Sequence, residues 1–241
     1  PKEGSMKNKN WVNLFIAILL YIPMGFLQVN IDYRRKLEDL EARLLLMPGQ
    51  VAGSLVLSGF RGIAADLLWL NIEDLWHSGH TYKLLPLFES VAWLQPRYIT
   101  VWAVGGWHMA YNIYAATNDP QEKQYWYQQG IAFLKKGIAY NPEQYDLYFE
   151  LGWTYYNKGE DYENAVKYLE KAVKFPCPDY VKSLLAHAYE NNEQIDKAIS
   201  QWTKVLDTTF ASVAQRALAA IKKDGAFTPK RRAKLGLDKE T

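Results

Sequence analysis

Three pairs of residues set the frame: Pro142 and Pro176, Gly152 and Ala186, and Tyr155 and Tyr189 each lie thirty-four residues apart. A chain that repeats itself at such a short period is built from one small unit stacked on its neighbours, because no single unit can bury its apolar face alone. Residues 147–176 and 183–207 follow one scheme. A first helix carries Gly152 or Ala186, with Tyr155 or Tyr189 three residues later. A polar turn follows, Asn157-Lys158-Gly159-Glu160-Asp161 or Asn191-Asn192-Glu193. The second helix then carries Ala165 with Ala172, or Ala198 with Val205, on one face. The pattern predicts pairs of antiparallel helices, with small residues at their close approach and the aromatic filling the space beside them.

This pattern resembles the tetratricopeptide repeat, over 145–176 and again over 179–210, where no proline closes the unit. The turn of the first unit is one residue longer, so Ala165 and Ala198 are thirty-three apart. Earlier units are degenerate. In one, Gly105 begins a first helix, with His108 where the aromatic belongs. Gly130, Leu134 and Gly137 mark its second helix, Pro142 closes it, and an insertion at 116–120 lengthens the connection. Another pairs an apolar run at 59–79 with a helix through Leu84, Phe88 and Val91. The stretch 59–114, through ADLLWL, LQPRY and HMAYNIY, is also similar to membrane-anchored repeat proteins of bacteria. The expected fold is all-α: a tetratricopeptide-like right-handed solenoid of four helix pairs over 57–222, with a terminal helix near 211–222.

Residues 11–29 read WVNLFIAILLYIPMGFLQV, without a formal charge. At 1.5 Å per residue such a run just spans a hydrocarbon core of about 30 Å. It follows a short basic segment, 1–10, and no small-x-small cleavage site succeeds it, so the sequence predicts one retained transmembrane helix. Residues 1–5 precede Met6, which starts a signal-like n-region. Lys and Arg flank the span on both sides, so charge does not set its orientation. A short basic N-terminus before an uncleaved span is the usual arrangement with the body exported. The expected location is the bacterial inner membrane, single-pass, with the repeats on the periplasmic side. Leu37, Leu40, Leu44 and Met47 suggest that the helix continues out of the membrane and packs one face, ending before Pro48, so 30–56 reads as a juxtamembrane helix and linker. The basic tail, 223–241, reads as a solvated end, with contact to anionic lipid or an acidic partner as the alternative.

Composition narrows the chemistry. Cys177 is the one cysteine, which excludes an intramolecular disulfide framework, cysteine-ligated zinc and covalent haem attachment. A net charge of +2 lacks the basic excess of a nucleic-acid binder. No GxSxG, P-loop or dinucleotide GxGxxG occurs, and Gly105-Gly106 reads as close helix packing. Glu73, His77 and His80 share metal-ligand spacing but lack a fourth ligand, and read as a polar helix end. The sequence points to no enzyme, no cofactor and no metal.

The resemblance implies a different kind of site. First helices of this repeat line a concave face. On the register of Gly152, the residues facing it are Asp146, Phe149, Trp153, Tyr156 and Asn157. Tyr180, Ser183, His187, Glu190 and Asn191 follow from Ala186, and Ile99, Trp102, Met109 and Ala110 from Gly105. Chaperone-binding members of the family clamp a chain-terminal carboxylate there with Lys and Asn. Phe149 and Trp153 stand instead in this chain, which favours an apolar helix or extended segment. The expected binding set is Trp102, Asp146, Phe149, Trp153, Tyr156, Asn157, Tyr180, His187 and Asn191. The alternative occupant is the chain's own helix 31–47. The function expected is a membrane-anchored, non-catalytic scaffold that holds a protein partner, from an envelope complex, beside the lipid. The alternative is an accessory subunit of a membrane enzyme or electron-transfer complex.

Overall fold

A computed structural model describes residues 61–79 and 83–237. The predicted span at 11–29 and the stripe at 37–47 lie outside the described residues. Among the described residues every regular element is helical, and no helix is long and apolar enough to cross a membrane.

The described chain divides into two compact units, residues 61–79 with 89–95 and residues 83–88 with 96–237. In the first, α1 (Arg61–His77) packs Ala65 and Ile72 inward. Arg61 Nε and a terminal guanidinium nitrogen donate to the carbonyls of Leu94 and Trp93, at 3.0 and 3.2 Å. These carbonyls end α2 (Leu84–Leu94), whose chain is shared by the two units.

The second unit carries the repeats. α3 runs over Ile99–Trp107, passes through a π-helical stretch at His108–Ile113 and finishes at Tyr114–Ala116. It packs against α4 (Pro120–Tyr140). α5 (Tyr145–Asn157) packs on α6 (Tyr162–Ala172), and α7 (Asp179–Asn191) on α8 (Ile195–Val205). α9 (Ala211–Asp224) covers α8, and α10 (Pro229–Lys234) lies against α7.

The local causes are ordinary helix chemistry. Asp119 caps α4, accepting from the Gln121 amide at 2.8 Å with Pro120 at the first helical position. Asp161 caps α6 through the Asn164 amide at 3.0 Å. α9 stops at Gly225, whose φ of +73° an L side chain rarely adopts. Within each pair the small residues set the approach. A Cβ on Gly152 would lie 2.8 Å from Leu169 Cγ, one on Gly137 2.7 Å from Trp102 Cβ, and one on Gly105 2.7 Å from Phe133 Cε1. Gly105-Gly106 therefore serves helix packing.

Two expectations change. The unit read around Gly105 begins at Ile99, so its first helix is longer than its degenerate motif indicated. The tail is not a solvated end. Residues 225–237 fold back, and the Thr228 hydroxyl accepts the Arg231 amide at 3.4 Å to start α10.

Candidate functional site: an aromatic groove closed at one end

α5 and α7, the first helices of successive repeats, present the predicted face. Its open stretch holds Asp146, Phe149 and Trp153 of α5 with Tyr180 of α7. Tyr180 is 42% exposed, and its ring meets Phe149 edge-on at 5.2 Å between centroids. Trp153 and Tyr156 stack at 5.9 Å, with planes 18° apart. Asn157 lies exposed at the helix end.

Acid borders this stretch. Glu150, half-buried one turn after Asp146, has its pKa raised to about 7, by burial first and by the Asp146 charge second. Sequence reasoning passed over it, because its position falls between the stripe facing the groove and the stripe packed in the pair.

The far end is occupied. Glu190 is fully buried, and its Oε1 accepts the amides of Phe227 at 2.6 Å and Thr228 at 2.7 Å. The Thr228 hydroxyl donates to Asn191 Oδ1 at 2.5 Å, while Asn191 Nδ2 donates to the Tyr156 hydroxyl at 3.0 Å. The Phe227 ring stacks on His187 at 5.7 Å and meets Trp202 edge-on at 5.9 Å. Burial pushes His187 down to about 4. It pushes the Tyr156 hydroxyl up to about 12, despite the Asn191 hydrogen bond acting the other way.

The predicted set therefore separates into three groups. Asp146, Phe149, Trp153, Asn157 and Tyr180 line the open stretch. Tyr156, His187 and Asn191 are engaged by neighbouring side chains and by the tail. Trp102 is corrected: at 1% exposure it is core. It is stacked on Tyr140 at 5.8 Å, and its Nε1 donates to the Pro96 carbonyl at 2.8 Å. The glycine at 137 admits the indole between the helices, so its register position does not turn it outward.

The structure brings in Phe227 and Thr228 as well, and supplies the partners of Glu190, which the register of Ala186 already placed on this face. Thr228-Pro229 is a cap and first-position pair readable in sequence. Nothing local tells which surface a helix so started will cover.

Other candidate chemistry has structural surroundings. His77 Nδ1 lies 2.7 Å from the Glu73 carbonyl on the same helix, and His80 is outside the described residues. No group of metal-ligating side chains forms among the described residues. Burial raises the Cys177 thiol above its ordinary pKa, with Lys182 pulling the other way.

The family model for the tetratricopeptide repeat matches residues 145–175, the unit of α5 and α6. No curated protein matches the sequence. Among solved structures, a thermophilic tetratricopeptide-repeat protein of Thermus thermophilus is 18% identical with a TM-score of 0.50. The match covers 83% of this chain and 97% of that one. The MamA RS-1 ArsTM double mutant is 20% identical with a TM-score of 0.51, over 70% and 88% of the two chains. MamA protein is 15% identical with a TM-score of 0.52, over 73% and 88%. The fold is thus an all-α tetratricopeptide-type helical repeat. Such repeats are interaction scaffolds whose stacked units form extended concave surfaces.

Proposed function

We propose that the chain is a non-catalytic scaffold that binds a protein partner through the groove of α5 and α7, tethered to a membrane by residues 11–29. The observation that supports this most is the open aromatic stretch. Tyr180 is exposed with half-buried Phe149 edge-on against it, and half-buried Trp153 follows one turn along the same first helix as Phe149. Aromatic side chains clustered this way supply most of the binding energy in many interfaces. The partner segment is apolar or aromatic and carries positive charge, because Asp146 lies beside the ring cluster. Tethering confines scaffold and partner to one surface and raises their effective concentration. The bacterial inner membrane, with the repeats on the periplasmic side and an envelope complex as partner, is the setting this reading implies.

The test is the double variant Phe149→Ala with Trp153→Ala, purified in mild detergent. Loss of the co-purifying partner with a little-changed melting temperature supports the reading. Unchanged co-purification contradicts it.

A further inference from the structure

Residues 226–234 sit in the groove as a ligand would. Phe227 covers His187, and two successive backbone amides, those of Phe227 and Thr228, converge on one oxygen of the buried Glu190 carboxylate. Downstream, Lys230 pairs with Glu160 and Lys234 with Glu193. Those glutamates occupy the equivalent turn of successive repeats, thirty-three residues apart, and both hold left-handed backbone, with φ of +47° and +62°. Lysines one helical turn apart thus bridge acids one repeat apart. The segment reads the period of the scaffold.

Its hold is uneven. Ala226 and Thr228 are buried, whereas α10 after them buries none of its residues. Both lysine pairs are more than half exposed, where such bridges add little. Glu190 Oε2 is buried without a hydrogen-bond partner, so the tail satisfies only one oxygen of its main receptor group. A segment that donated to both oxygens would bind better.

We infer that residues 226–234 are an intramolecular occupant of the groove, displaced by a partner segment of the same chemistry. That chemistry is an aromatic residue, then a hydroxyl residue with a free backbone amide, then basic residues four apart. This rests on the groove being a partner site and names the class of segment it takes. An apolar segment alone cannot replace these contacts, since burying Glu190 without donors is unfavourable.

The probe is a labelled synthetic peptide of residues 225–237, titrated onto the full chain. Because the chain's own tail competes, the parent binds it weakly. Phe227→Ala with Thr228→Ala, made in the full chain, loosens that tail and strengthens peptide binding by about tenfold or more. Adding Glu190→Gln returns binding to the level of a scrambled peptide. Hydrogen exchange on the unaltered chain decides the matter independently of how the variants fold. The Phe227 and Thr228 amides exchange by local opening, about a hundredfold faster than those of Leu184 and Ala188. Equal protection of the four amides, or peptide binding no better than the scrambled control, overturns the inference. If that happens while Phe149→Ala with Trp153→Ala still abolishes co-purification, the scaffold reading stands without the displaceable tail. If the peptide binds and co-purification is unaffected, the scaffold reading alone fails.

Discussion

Phe227 lies flat on the imidazole of His187, ring centroids 5.7 Å apart and planes within 15°, so a residue forty positions downstream seals a histidine of the groove. The consequence is a base kept neutral. Burial holds His187 near 4 instead of its ordinary 6.5. The unfolded chain therefore binds a proton that the folded chain refuses between those values, and stability falls as pH falls through that window. At one pKa unit per 1.36 kcal/mol, the loss approaches about 3 kcal/mol by pH 4. Urea unfolding of the parent and of His187→Phe, at pH 7 and pH 4.5, measures it: the difference between them shifts toward the variant in acid. Parallel pH profiles would show that the imidazole is solvated.

Glu150 acts with the opposite sign. Its folded pKa, raised to about 7 from 4.5, means that the folded state holds a proton the unfolded state has released. Stability is lost as pH rises through that interval. Glu150→Gln removes the ionisable group, so it stabilises by about 2–3 kcal/mol at pH 8 and changes little at pH 4.5. Thermal melts of parent and variant at the two pH values give the comparison, and an equal effect at both would contradict the shift.

The helix pair of α5 and α6 is held by small residues. A Cβ on Gly152 meets Leu169 at 2.8 Å from Cγ and 3.3 Å from the backbone nitrogen, and Ala165 is fully buried. Gly152→Leu and Ala165→Leu each cost about 1–3 kcal/mol or more by overpacking. Lys167→Leu, at an exposed site on the same helix as Ala165, stays close to the parent. Melts that do not separate the three would mean that the register is misplaced.

The membrane tether is tested by truncation. Deleting residues 1–30 removes the uncharged run and leaves a protein that partitions to the soluble fraction after a high-salt wash, with its helical circular dichroism intact. A truncated form that stays with the membranes would assign the attachment to another surface.

The period made the fold legible. Gly152, Tyr155, Ala165 and Ala172 are spaced by the contacts they make, so the α5–α6 pair could be read from residue types alone. The shared stripe of Asp146, Phe149 and Trp153 follows by helical spacing from Gly152, and the structure sets Phe149 against Tyr180 of the next first helix. Trp102 failed because its neighbour Gly137 lies on another helix, and a pocket made by a missing side chain thirty-five residues away leaves no local mark. The tail failed for a related reason. Lys230 and Lys234 look like a solvated basic run until Glu160 and Glu193 are placed beside them, and that pairing is tertiary. Residues from the end of the chain cover His187 and Asn191, whereas the helix at 31–47, the occupant the sequence offered, lies outside the described residues.

Site-specific photocrosslinking in native membranes tests the central claim most directly. A photoreactive residue is placed singly at Trp153, at Tyr180 and at the outward-facing Lys167, and adducts are resolved by mass. The account predicts one partner adduct from positions 153 and 180 and none from 167. Adducts from 167 alone, or none from either groove position, would contradict it.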